Sequence, residues 1–470
     1  MQKQLSFVAL DVVVVAVGIE LSARLVRLWI HPAAAIGFSG TTITAVAGLL
    51  AATAGAYLTG LDDPTRLLDR STVALRGVGV GIATSLVMLV VSHSLWLQGL
   101  GRILLVMTGV VVTAALVGWR LVYAHYLQRG PRVPVVILGD GPSEQRYAEA
   151  LRSLTHTRVE VVGLLHDDTP ARAGYREPPV SWPGDAAWPA TTQPLPVLGP
   201  LSRAAEILPG LGVSRAIALD TAPVSAERIA ALSRLQAQGI RVSTAGTVWM
   251  DGARRLPPDL IDARWLLGAF EHMDRPMIRE LKRLVDIGVG AVSMLVFALM
   301  VPVLYPLVRL GSPGPFLYSQ PRVGQHGRIF QIYKIRTMAQ PRPGAAERWT
   351  EVGDRRITAV GRVLRFLRID EMPQLYNVLR GDMSLVGPRP EQPSFVSQLA
   401  EQIAFFDYRH LIKPGITGWA QINQGYVSTP EDWALRLSYD LYYVGRHNLT
   451  MDLDIICRTL FVMAAGIGSR

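Results

Sequence analysis

Two adjacent carboxylates, Asp370 and Glu371, stand at the centre of the chemically densest stretch of this sequence, in the run Asp370-Glu371-Met372-Pro373-Gln374. Upstream lie Arg322, Gly324, Gly327, Lys334, Arg336 and Arg365; downstream come Gly387-Pro388-Arg389-Pro390 and Lys413-Pro414-Gly415. Guanidinium forks pair with phosphate oxygens through two parallel hydrogen bonds, and glycine lets backbone approach an anion closely. Carboxylates set among such cations suit a nucleophile or a Mg²⁺ ligand acting on phosphate. Any one of these arginines alone would read as a surface ion pair; the pattern rests on their number and order. Neither H-E-x-x-H nor a Walker loop occurs, which closes the metalloprotease and P-loop routes.

The chain has 470 residues, 50% of them hydrophobic, a formal net charge of +10 and one cysteine, Cys457. A lone cysteine excludes a disulfide scaffold and any cysteine-based zinc or iron–sulfur site. The positive charge is almost all arginine, since the lysines are Lys3, Lys282, Lys334 and Lys413. Charge alone permits a nucleic acid, a membrane surface or a phosphorylated substrate. A mean hydropathy of +0.27 over so long a chain points to membrane-buried segments.

Those segments can be placed. Apolar stretches at 6–28, 41–61, 77–97 and 103–123 each approach the ~20 residues needed to cross a bilayer. Arginines after the second and fourth stretches predict a four-helix transmembrane bundle over 1–128 with both ends in the cytoplasm. A fifth run, 287–308, carries no charge but has basic residues on both flanks: Arg279, Lys282 and Arg283 before it, Arg309 after it. Pro302 and Pro306 inside the run each remove a helical hydrogen bond. A re-entrant helix over about 284–309, breaking at these prolines, accounts for both features; a kinked fifth span is the alternative. The apolar tail 453–468 reads as an interfacial helix or as ordinary core.

Between these regions, 129–265 alternates short β-rich and helical runs. Strands at 133–138, 159–165, 216–219 and 240–243, with helices at 143–154 and 225–238, predict a parallel, Rossmann-like α/β domain. The Pro-rich stretch 169–196 reads as a loop. Gly139 and Gly141 match the first two glycines of a dinucleotide loop, but Glu144 stands at the third. That acid would crowd the helix–strand contact and repel a pyrophosphate. No Tyr-x-x-x-Lys pair exists, because Ile278, Phe330 and Arg409 stand four before the later lysines. A sheet that regulates, scaffolds or dimerises therefore reads better than a nucleotide-sugar oxidoreductase.

The C-terminal motifs, taken in order, resemble one family. Gln320-Pro321-Arg322-Val323-Gly324, Lys334-Ile335-Arg336-Thr337-Met338, the Asp370-Glu371 run and Gly387-Pro388-Arg389-Pro390 are similar to the catalytic domain of the bacterial sugar transferases, the monotopic polyprenyl-phosphate phosphoglycosyl transferases. The whole architecture resembles their long form: membrane helices, a Rossmann-like domain, then an α-rich catalytic domain at 270–470. Ile335, Arg368-Ile369 and Met372 depart from the usual pattern at flanking or packing positions.

The resemblance implies a two-step transfer. Asp370 would attack the β-phosphate of a UDP-hexose and expel UMP, and a polyprenyl phosphate such as undecaprenyl phosphate would then take the phospho-sugar. Glu371 would hold Mg²⁺ or accept a proton, with Asp370 as a further metal ligand. Arg322, Lys334, Arg336, Arg365, Pro388, Arg389, Pro390 and Lys413 would contact substrate. The implied setting is the cytoplasmic face of a bacterial inner membrane, at the first membrane step of exopolysaccharide, capsule or O-antigen synthesis, with glucose or galactose as leading sugars. A homodimer is compatible with the size of the non-catalytic part, and no nucleic acid is needed to explain the charge. A membrane scaffold without activity is the competing class, and the Asp370-Glu371 pair disfavours it.

Overall fold

The computed structural model describes residues 12–21, 24, 46–53, 70–94, 102–129, 132–139, 142–153, 159–166, 195–219, 225–338, 356–425 and 427–464. It divides into two compact units, Met1–Pro131 and Arg132–Arg470. In the first, helical residues occur in each of the four expected apolar stretches, at Val12–Leu21, 46–53, Arg70–Ser94 and Arg102–Arg129. The remainder of the first two stretches lies outside the described residues. Arg70–Ser94 packs on Arg102–Arg129 through small residues: a Cβ added to Gly81 would meet the Gly109 carbonyl at 2.8 Å. Small residues let helix backbones approach this closely.

The second unit begins with a five-stranded parallel sheet in the order β3-β2-β1-β4-β5. Its strands are β1 (Val133–Leu138), β2 (Val159–His166), β3 (Val197–Pro200), β4 (Arg215–Ala218) and β5 (Arg241–Thr244). The Val/Ile-rich β1 is buried on both faces, as the central strand of a covered parallel sheet must be. Val135 and Ile137 face Tyr147, Leu151 and Trp249, from helices Pro142–Ser153 and Ala245–Ala253. Val136 and Leu138 face Leu208 and Leu235 on the opposite side. After β1, Gly139 adopts φ +113°, and the Glu144 side chain folds over it: an added Cβ would lie 2.7 Å from the Glu144 carboxyl. Gly141 lies outside the described residues, as do 169–194 of the expected Pro-rich loop.

The C-terminal part is built around helix Pro276–Gly311, which among the described residues is the one long and apolar enough to cross a membrane. At 36 residues it is about 54 Å long. The expected break at Pro302 and Pro306 is corrected here: helical structure continues through both. Four residues apart, the two prolines remove hydrogen bonds on one face only, which bends a helix more readily than it ends one.

Both ends of this helix are fastened to the same folded body. Near its start, Lys282 Nζ donates to Asp452 Oδ2 at 2.6 Å and to the Val386 carbonyl at 3.1 Å. The Tyr443 hydroxyl donates to the other oxygen of Asp452 at 2.5 Å. Arg283 caps the Val378 and Leu379 carbonyls at 2.6 and 2.7 Å, and Asp286 accepts from Ser384 and from the Leu385 amide. Near its end, Leu304 and Val308 pack on Ile335 and Leu364. Val289, Val292, Leu295, Leu299, Val303 and Leu310 remain exposed along the other faces.

Strands β6 (Leu317–Val323) and β7 (Ile329–Ile335) form an antiparallel ribbon, and β8 (Ser384–Val386) pairs in parallel with β9 (Gly415–Thr417). Helices Pro430–Arg446 and Leu449–Ala464 close the core, the first started by a Thr429–Asp432 capping box. Within the apolar tail Ile455 is buried while Leu453 is exposed, so the start of the tail packs on the core by one face. Removing one partner of a buried ion pair leaves a charge without compensation. Lys282→Met is therefore expected to lower unfolding stability by ~3 kcal/mol in denaturant titration, and Lys282→Met/Asp452→Leu by clearly less; an unchanged midpoint in the single variant would contradict the anchoring role.

Candidate active site

Helix Ala359–Phe366 starts on Thr358, whose hydroxyl accepts from the Gly361 amide at 2.9 Å. Gly361 is required there, because a Cβ would meet the Thr337 carbonyl, at the end of the β7 segment, at 2.1 Å. After the helix the chain reverses at Arg368, a non-glycine residue in the left-handed region with φ +56°. That conformation costs roughly 1–2 kcal/mol. It turns the next residues into a short 3₁₀ segment, Ile369–Glu371, and Pro373 then starts helix Gln374–Arg380. Asp370 and Glu371 both point inward as a result, 7% and 8% exposed.

Two cations meet on Glu371. Lys334 Nζ of β7 lies 3.2 Å from Oε1, and Arg389 Nη2 donates to the same oxygen at 2.8 Å. Arg368 stands 3.9 Å from Oε2. Buried Asn377 sets the depth of β7 against this turn, donating to the Gln331 carbonyl at 2.7 Å and accepting from the Tyr333 amide. Arg389 comes from a loop whose consecutive carbonyls all accept hydrogen bonds. Pro388 receives the Gly415 amide at 2.9 Å, Arg389 receives Arg409 at 3.0 Å, Pro390 receives Arg322 at 3.2 Å and Glu391 receives the Val323 amide at 2.9 Å.

The two carboxyls respond in opposite senses. Burial would raise Glu371, but Arg389, Lys334 and Arg368 together outweigh it and hold the group well below the usual carboxylate range. Asp370 is pushed up to about 6, first by burial and then by the Glu371 charge, against the pull of Lys334, Arg365 and Arg368. Among the described residues its carboxylate accepts no hydrogen bond. A neighbouring pair with separated pKa values is the usual signature of divided roles.

The sequence-derived residues divide by position. Asp370, Glu371, Lys334 and Arg389 meet, and Arg365 acts on Asp370 through its charge. Pro388 and Pro390 stiffen the loop around Arg389. Arg322 stands behind that loop, bonded to Glu391, Gln320 and the Pro390 carbonyl. Arg336 turns away to the Ser312 and Pro313 carbonyls after the long helix. Lys413 lies by Gly381, where an added Cβ would be 3.7 Å from Nζ, in the field of Arg283, Asp286 and Asp382. Arg368, Arg409 and Asn377 carry no motif signal, because their contacts depend on a left-handed turn and on long-range packing.

Among the described residues no three His, Cys, Asp or Glu side chains converge as a metal cage. Two carboxylates, one with an unbonded headgroup, suit the alternative way of holding Mg²⁺, in which substrate phosphates complete the coordination.

Folding raises the Asp370 pKa from 3.8 to about 6. Between those values the folded protein binds a proton that the unfolded chain has released, so stability falls as pH rises through the window and the cost persists above it. Asp370→Asn is thus expected to stabilise the fold at pH 7.5 by roughly 3 kcal/mol, with most of the gain lost by pH 4. Melting curves at both pH values check this, and a destabilised variant at pH 7.5 would contradict it.

Residues 277–466 match the family model described as bacterial sugar transferase. The chain is 42% identical over 195 residues to the UDP-N-acetylgalactosamine-undecaprenyl-phosphate N-acetylgalactosaminephosphotransferase of Aeromonas hydrophila, covering 42% of this chain and 46% of that protein. It is 37% identical over 185 residues to the UDP-glucose:undecaprenyl-phosphate glucose-1-phosphate transferase of Escherichia coli, covering 39% of this chain and 40% of that protein. It thus spans under half the length of these two relatives. Against the UDP-glucose:undecaprenyl-phosphate glucose-1-phosphate transferase of Caulobacter vibrioides, it is 40% identical over 181 residues, which are 38% of this chain and 68% of that protein. The chain belongs to the bacterial sugar transferase family.

Proposed function

We propose that this protein moves a sugar-1-phosphate from a UDP-sugar to undecaprenyl phosphate through a covalent intermediate on Asp370. The observation that carries this reading is the asymmetry of the pair: Glu371 is held ionised by Arg389 and Lys334, while Asp370 presents an unbonded carboxylate beside it. The substrate names of the relatives support the two substrates.

In the first step an Asp370 oxygen attacks the β-phosphorus, the bond from that phosphorus to the bridging oxygen breaks, and UMP leaves with the bond's electron pair. In the second, an oxygen of undecaprenyl phosphate attacks the same phosphorus and the aspartyl carboxylate departs unchanged. One phosphoanhydride replaces another, so the task is positioning and charge stabilisation rather than supply of free energy. Lys334, Arg365, Arg368 and Arg389 offset the charge that a diphosphate brings beside two carboxylates. Glu371, kept ionised, is a poor proton acceptor and serves as a fixed anion that orients Arg389 and Lys334. Mg²⁺, held by Asp370 and Glu371 together with the substrate phosphates, would add charge neutralisation at the transferring group.

The setting follows the same logic. Both ends of helix Pro276–Gly311 fasten to one body while its other faces stay apolar and exposed, which supports a bent anchor with both ends on one side of the membrane over a fifth span. Val363, Phe366 and Leu367 are exposed just before Asp370, which supports a site at the lipid surface. We read the N-terminal helices as a four-helix transmembrane bundle in the bacterial inner membrane, with the sheet and the transferase region on the cytoplasmic side. We read the sheet as Rossmann-like and, with Glu144 over Gly139, as structural or regulatory.

Purified protein in lipid nanodiscs with undecaprenyl phosphate and Mg²⁺ is expected to release UMP from one of UDP-glucose, UDP-galactose or UDP-N-acetylgalactosamine. Asp370→Asn should reduce release at least ~10³-fold, and wild-type turnover in that variant would refute the nucleophile assignment. Because Asp370 must be ionised to attack, kcat/KM should rise as pH rises through about 6. An acid limb near pH 4 would place the group elsewhere.

A further inference from the structure

Arg409 and Asp440 are 1% and 2% exposed and sit behind the loop that carries Arg389. Arg409 Nε and Nη2 reach Asp440 Oδ2 at 3.0 and 2.8 Å, and Nη2 also donates to the Arg389 carbonyl at 3.0 Å. The guanidinium lies 5.1 Å from the centroid of Phe406, whose ring packs edge-on to Trp433. Asp440 sits on helix Pro430–Arg446, and Arg409 on the 3₁₀ segment Phe406–Leu411. Neither touches the Asp370–Glu371 pair.

A buried ion pair is a weak device for stability alone, since apolar residues of similar volume often serve as well. Its distinctive feature here is the third contact, a charged donor aimed at the backbone of the residue that holds Glu371. Arg322 grips the next carbonyl, Pro390, and the Gly415 amide grips the preceding one, Pro388. The loop backbone is therefore held on both flanks of Arg389, which sets the point from which its side chain reaches Glu371.

We propose that the Arg409–Asp440 pair is a positioning device for the transfer reaction: Asp440 orients Arg409, Arg409 holds the Arg389 backbone, and Arg389 is thereby set on Glu371. This rests on the reading of Asp370 and Glu371 given above. A displacement of about 1 Å at an active-site group can lower turnover on the order of 10²-fold, so the effect belongs in kcat.

The test is a mutant cycle on the full chain in nanodiscs, following UMP release from whichever of UDP-glucose or UDP-N-acetylgalactosamine the wild type turns over. Arg409→Met/Asp440→Leu replaces both partners with apolar groups and so leaves no uncompensated charge. It is expected to lower kcat roughly 10- to 100-fold with KM for the UDP-sugar changed by less than about threefold. In an Arg389→Ala background the same pair of changes should add less than about twofold, because its effect passes through Arg389. Should the double variant melt at room temperature, Arg409→Lys keeps a charge for Asp440 but loses the fork that spans Asp440 and the Arg389 carbonyl; the same fall in kcat and the same non-additivity are expected. Losses that multiply in the combined variants, or wild-type kcat in a folded Arg409→Met/Asp440→Leu protein, would overturn the proposal. Full activity in Asp370→Asn, measured alongside, would refute the underlying reading as well.

Discussion

Burying two neighbouring carboxylates is the constraint from which the C-terminal architecture follows. Each resists desolvation and each repels the other, so both cannot be equally stabilised in one pocket. The fold resolves this unevenly. Arg389 and Lys334 converge on one oxygen of Glu371 and Arg368 stands near the other, while Asp370 feels Lys334, Arg365 and Arg368 only through their charge. The uneven support separates two chemically similar groups into an anion that stays ionised and a carboxyl that titrates near 6. Three elements distant in sequence must meet for this: strand β7, the left-handed turn at Arg368 and the loop at 388–391.

The long helix serves the same arrangement. Arg283 holds the end of helix Gln374–Arg380, which follows the carboxylates, and Asp286 holds β8, which leads into the Arg389 loop. Leu304 and Val308 brace Ile335 at the end of β7. One apolar helix thus fixes elements on opposite sides of the Asp370–Glu371 pair. An element read for membrane attachment is also the frame of the site, so its insertion and the site's geometry are physically linked.

Much of this was legible in residue order. The carboxylates, Lys334, Arg389 and the parallel strands at 133–138 and 159–165 announce themselves by local composition, because strand burial and phosphate chemistry each select residue types directly. What stayed hidden depends on distance. Arg336 and Lys413 stand in motifs beside site residues, yet one points along the β7 exit and the other toward the start of the long helix. Side-chain direction at a strand end or after β8 is set by tertiary contacts that spacing does not encode. Arg409 and Asp440 carry no local signal, since their meaning comes from the Arg389 carbonyl between them and the carboxylates. Pro302 and Pro306 suggested a break because each forbids one hydrogen bond; packing on both flanks keeps the helix continuous. The four-residue β3 begins directly after the Pro-rich stretch, too short for period alone to reveal.

The central claim is that Asp370 carries the sugar phosphate between its two partners. It is tested most directly by incubating wild-type protein with its UDP-sugar in the absence of undecaprenyl phosphate, quenching in acid, and mapping peptides by mass spectrometry. The account predicts a phospho-sugar adduct on the peptide containing Asp370, formed with a matching amount of UMP and discharged when undecaprenyl phosphate is added before the quench. UMP released only after undecaprenyl phosphate is supplied, with no adduct at any time, would contradict it and require direct transfer between the two substrates.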